Sequence, residues 1–118
     1  MIADPFAERL AKVRHRFVST LQGKIESACE AVPQLSALQP EAAATVAEAY
    51  RCLHSIVGVG PTVGFPSTGR AAREAEDVLR PPHRDARGLT AEEVALLVER
   101  LQALREIATI ELRSFDAA

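Results

Sequence analysis

The sequence predicts an all-α fold, an antiparallel four-helix bundle with an additional N-terminal helix or helix extension. Three observations carry this. Apolar residues recur at spacings of three or four over long stretches, which marks one buried face of a helix. No segment shows a convincing alternation of period two, and "SIVGVG", short enough to pass for a strand, lies inside a helical register. Aromatic residues make up only 4% of the chain and Trp is absent, so the core must be built from Leu, Val, Ile and Ala. The length, 118 residues, suits one domain spanning 1–118, with no internal repeat or low-complexity tract.

The first helix opens with Asp4 as N-cap and Pro5 at the first helical position. Its stripe is Phe6, Leu10, Val13, Phe17, Leu21, Ile25, Ala28, Val32 and Leu35. Gly23 is a place where it can bend or split, and Pro33 is expected to end it near residue 32. A second helix starts near Pro40, with Ala42, Val46, Ala49, Leu53 and Ile56 on one face. Pro61 lacks an N–H for the carbonyl of Val57, so this helix must kink or stop there, and Gly64 suits a chain reversal. The third helix fits Ser67 to about Leu79, with Pro81–Pro82 terminating it and a polar loop carrying His83 after it. The fourth begins at Thr90 with the capping box Thr90-x-x-Glu93. Its stripe of Val94, Leu97, Leu101, Leu104 and Ala108 should run to about Arg113.

Composition excludes several functions. The 14 Lys and Arg against 16 Asp and Glu give a net charge of −2, which argues against a nucleic-acid binder while leaving room for a local basic patch. No apolar run approaches the ~20 residues of a membrane span, and "MIADPFAERLAK" lacks the order of a signal peptide. A cytoplasmic protein is therefore expected, with no membrane partner. Cys29 and Cys52 form no metal pattern and read as two buried thiols. His54, His83 and Asp85 share no helical spacing, so no metal site is expected. The glycine-rich Gly58–Gly64 stretch lacks the Gly-Lys-Ser/Thr ending of a phosphate loop and follows no strand, which argues against nucleotide binding. Ser55 has no acid and base partners in sequence, so a serine hydrolase has no support. His15, after Arg14, reads as solvated.

The stretch "RCLHSIVGVGPTVGFPSTGRAAREAE" holds the candidate site. With about 100° per residue, Leu53 and Ile56 point inward and His54 sits on an accessible flank. Arg51 lies one turn before it and Gly58 one turn after, so the imidazole faces a gap where a side chain is missing. An imidazole nitrogen is a nucleophile toward phosphorus if a donor can meet it in line. A donor on a second protein must bring its own active-site wall close, which a glycine permits and a bulky residue prevents.

This pattern resembles the histidine-containing phosphotransfer (HPt) domain of bacterial phosphorelays. The matching residues are Leu53-His54-Ser55-Ile56-Val57-Gly58, then Gly64-Phe65, then "RAAREAE" ending at Glu76. The resemblance implies a phosphorelay intermediate, with His54 as phosphoacceptor from a receiver-domain aspartate. It implies a response-regulator receiver or hybrid histidine kinase as partner, and Mg²⁺ on that receiver rather than a cofactor of the chain's own. It further implies no kinase activity, and the chain is expected to be a monomer. Family members often carry Lys three residues after the histidine, where this chain has Val57. Arg51, and Arg70 and Arg73 from the next helix, are the candidates to supply that charge; with Val57, Gly58 and Gly64 they make up the expected docking surface. The alternative is a helical module that docks on a receiver or kinase and regulates it without being phosphorylated, favoured by Val57 and by Pro61 so near the site. A third reading, the phosphoacceptor part of a larger kinase, finds no nucleotide-binding segment in these residues.

Overall fold

Four helices run along one axis in a computed structural model that describes residues 4–117; the expected span of 1–118 includes residues 1–3 and 118, which lie outside the described residues. They are α1 (Pro5–Leu35), α2 (Ala42–Val59), α3 (Pro66–Arg84) and α4 (Ala91–Ala117), with a 3₁₀ turn at Pro61–Val63. Each packs on its two neighbours in order, and α1 closes the ring on α4. The predicted bundle is thus the observed one, and the N-terminal addition is an extension of α1, not a separate helix.

The core is largely the predicted aliphatic one, joined by the buried rings of Phe17 and Phe65. Leu21, Ile25, Val46, Leu53, Ile56, Leu79, Leu97, Leu101 and Leu104 are buried, with Ala49, Ala71, Ala72, Ala75 and Ala108 where helices approach closely. Asp4 caps α1 by accepting from the Phe6 amide at 3.0 Å. The Thr90 capping box forms as expected: Thr90 Oγ1 accepts from the Glu93 amide at 3.1 Å and Glu93 accepts from the Thr90 amide at 2.9 Å. Gly64 adopts φ 98°, the left-handed conformation that reverses the chain after the 3₁₀ turn.

Several boundaries differ from expectation, mostly toward longer helices. α1 passes Gly23 unbroken and continues through Pro33 to Leu35. Pro33 is exposed and stands in the last turn, while the fully buried Leu35 ties that turn to the core. Only one i→i−4 bond is lost, at a place where water can replace it. α2 begins at Ala42, slightly later than expected. α3 runs five residues past Leu79, with Pro81 and Pro82 inside it. Pro82 is buried, and its packing outweighs the two missing amides. His83 is therefore on a helix, not in a loop. α4 reaches Ala117. The α1 stripe is covered only from Phe17 onward: Phe6 is 66% exposed and Val13 45%, because the first turns of α1 overhang their neighbours. Cys29 and Cys52 are free and half-buried, not buried; burial is the leading cause that pushes both thiols above their usual value.

At one pole, the α1–α2 and α3–α4 loops are clasped. The Ala37 amide donates to the Leu89 carbonyl at 2.9 Å, and the Leu89 amide to the Leu35 carbonyl at 2.8 Å. At the other pole Phe115 packs on Phe65, with ring centroids 5.7 Å apart, and Arg14 Nε donates to the Val63 carbonyl at 3.1 Å.

Candidate functional site

His54 projects from the C-terminal half of α2 toward α3. Its side chain is 66% exposed, as its place beside the stripe predicts. Exposure alone would leave it unconstrained, but Nδ1 lies 3.0 Å from Oε2 of Glu76 on α3. Glu76 is only 2% exposed. A buried carboxylate requires partners, and its other oxygen, Oε1, accepts from Arg80 at 2.7 Å. Arg80, one turn further along α3, also pairs with Asp77 at 2.9 Å. An ionised carboxylate only accepts, so Nδ1 is the donor to Glu76, and the tautomer of the neutral ring that fits this contact keeps its lone pair on Nε2. The arrangement thus leaves the second ring nitrogen directed away from the anchored side.

Gly58 follows one turn later, and a Cβ built there would meet nothing within 4 Å. The gap expected from the sequence is open. Val57 is half-buried and packs against the core, so no cation stands there. Arg51 is exposed one turn before His54 on α2. Arg73 is exposed one turn before Glu76 on α3, and the antiparallel register set by the His54–Glu76 contact puts it alongside Gly58. Arg70, nearer the start of α3, donates to Ser67 Oγ at 3.1 Å. Gly64 lies at the pole, where its visible role is the chain reversal rather than clearance beside His54.

Pro61 also has a place. A Cβ on Gly69 would stand 2.8 Å from Pro61 Cδ, so the proline ring fits against α3 only because residue 69 is glycine.

Sequence reasoning missed four contributors. Lys24 of α1 donates to Ser55 Oγ at 3.2 Å, adding a cation on the other flank of α2. The sequence pattern alone assigns no role to Arg80 or Tyr50 and places His83 in a loop. Tyr50 stacks on both histidines, 5.8 Å from His54 and 4.4 Å from His83 between ring centroids. A signal existed for Glu76: it falls on the same α3 stripe as Ala72, Ala75 and Leu79, where a charged residue is out of place unless paired.

The family model of the Hpt domain matches residues 12–107, a span holding α2, α3 and the whole His54–Glu76–Arg80 constellation. The chain belongs to the Hpt domain family. Hpt domains are helical bundles that carry histidine phosphotransfer in phosphorelays, and are modules rather than kinases. No curated protein and no solved structure matches the chain. Among the described residues, no helix is long and apolar enough to cross a membrane.

Proposed function

We propose that the chain is a phosphorelay intermediate that accepts a phosphoryl group on Nε2 of His54 from a receiver-domain aspartate and passes it on. The observation that carries this is an exposed imidazole whose Nδ1 is held by a buried carboxylate while its flank is cleared by Gly58.

In the forward step the Nε2 lone pair attacks phosphorus. The N–P bond forms as the P–O bond to the aspartate breaks, and that electron pair leaves with the carboxylate. The proton stays on Nδ1, and positive charge developing on the ring is met by Glu76 at 3.0 Å. The reverse step returns the group to a second receiver. Transfer of this kind is positioning plus charge neutralisation. Mg²⁺ is supplied by the receiver; the cations on this side are Arg51 and Lys24 flanking α2, and Arg73 beside Gly58. They give a local basic rim on a protein of net charge −2, suited to the acidic mouth of a receiver.

The rival, a docking module that is never phosphorylated, drew on Val57 and Pro61. The Pro61–Gly69 fit gives Pro61 a packing role, which leaves Val57 as the one feature in its favour. Incubation with an acetyl-phosphate-charged receiver separates the two. The relay acquires acid-labile label, mapped to His54 by mass spectrometry under non-acidic conditions and lost in His54→Gln. Label on His15 or His83, or undiminished label in His54→Gln, overturns the assignment.

A further inference from the structure

We propose that Tyr50 is a positioning residue for His54: its ring, backed by His83, fixes the plane of the imidazole so that Nε2 meets a protein-borne donor in line. The inference rests on the relay reading above.

His54 is two-thirds exposed, so core packing does not set its orientation. The Glu76 hydrogen bond fixes one atom, Nδ1, and a ring held at one atom can still tilt about it; the second torsion of histidine is intrinsically broad. A second restraint is needed to define the plane. Tyr50, one turn earlier on the same flank of α2, supplies a face inclined only 11° to the imidazole, with centroids 5.8 Å apart. Tyr50 does not float. The His83 ring lies against it at 4.4 Å and 18°. Its hydroxyl, followed by Glu76 and Asp77, pushes the Arg80 guanidinium above its usual value. Arg80 in turn holds the Glu76 oxygen that His54 does not use. The contacts run in one chain: Arg80 to Glu76, Glu76 to His54, His54 to Tyr50, Tyr50 to His83. His83 can join only because α3 continues through Pro81 and Pro82.

Reacting atoms a protein donor must align tolerate little error, and misplacement by about 1 Å costs on the order of 100-fold. A small, freely tumbling donor has no such requirement, because it approaches whatever orientation the ring takes. The two donors thus separate geometry from intrinsic reactivity.

The experiment compares the parent, Tyr50→Phe, Tyr50→Leu and His83→Ala as the full chain. Each is loaded by a charged receiver over a range of receiver concentrations, and separately by phosphoramidate. His54 ring-proton shifts are read by NMR, and urea midpoints identify any variant that fails to fold. Tyr50→Leu should lower the maximal receiver rate about tenfold with the half-saturating concentration unchanged, and leave the phosphoramidate rate within about twofold. Tyr50→Phe, which keeps the ring, should stay within about twofold on every measure, and His83→Ala should fall between. The His54 ring protons should lose their ring-current shift in Tyr50→Leu only. The proposal is overturned if Tyr50→Leu matches the parent with the receiver, if it slows phosphoramidate as much as the receiver, or if Tyr50→Phe is as slow as Tyr50→Leu. If no receiver loads the parent, the relay reading fails, and unchanged ring shifts in Tyr50→Leu then overturn the stacking as well.

Discussion

Gly58 sets two effects against each other at one residue. Glycine within a helix costs up to about 1 kcal/mol relative to good helix formers, and nothing lies within 4 Å of a Cβ at this position. Gly58→Gln should therefore leave the urea midpoint unchanged or raise it. The same side chain would stand one turn from His54, where a receiver must seat. Transfer should slow at least tenfold, about 1.4 kcal/mol on the barrier. A variant that unfolds would show that the glycine serves packing; one that transfers at the parent rate would place docking elsewhere. His54 and Gly58 were legible in the sequence because both follow from angles within a single helix. Glu76 was quoted in the motif without a role, because its partner is on another helix. The Tyr50–His83 contact was invisible for the same reason, since it crosses from α2 to α3, whereas Tyr50–His54 and Arg80–Glu76 are neighbours one turn apart on a single helix that spacing alone does not single out.

Helix ends tell a similar story at the next scale. Asp4 and Thr90 cap within their own segments and were readable. α3 has no side-chain cap of its own. Instead Glu111, on α4, accepts from the Ser67 amide at 3.3 Å and from the Thr68 amide. No local pattern announces a cap borrowed from 43 and 44 residues away. Glu111→Ala should cost about 1 kcal/mol in urea unfolding, the usual worth of a cap, with little effect on His54 if α3 keeps its register. The prolines misled for a related reason: their local cost is real, but Leu35 and Pro82 are anchored by burial that only the assembled bundle provides. At the α4 end, the Arg87 guanidinium, 2.8 Å from Glu93, holds that carboxyl below its ordinary 4.5. A depressed folded value means the contribution is present above about pH 4.5 and lost as pH falls through the folded value. Glu93→Gln should flatten that part of the acid limb in thermal melts from pH 6 down to about pH 3. An unchanged profile would mean the pairing persists in the unfolded chain.

The bundle as a whole has two dissimilar poles. At the clasped pole, a Cβ on Gly88 would sit 2.6 Å from Ala37 Cα and 2.7 Å from Ala42 Cβ. Gly88→Ala must push the two loops apart and should cost roughly 1–3 kcal/mol. Its receiver transfer should persist at temperatures where it remains folded, since His54 lies on the far half of α2. A midpoint equal to the parent's would show that the clasp yields freely. The other pole gathers the 3₁₀ turn, the overhang of α1 and the last turns of α4, through the Arg14–Val63 and Phe65–Phe115 contacts. His54 stands six residues before Gly60, so it lies only about 9 Å along the axis from that pole. Asp4 caps α1 and Ala117 ends α4 on this side, but the overhang of α1 carries residue 4 about 15 Å past Arg14 and the pole. A receiver fused after α4 by a flexible linker would start near the imidazole it must reach. About nine Gly/Ser residues give a mean reach of roughly 15–18 Å, enough to turn a bimolecular encounter into an intramolecular one at an effective concentration in the millimolar range. The same linker joined instead at the clasped pole would have to span the twelve residues from Ala42 to His54, about 18 Å and its whole mean reach, so the geometry favours tethering from the α4 end.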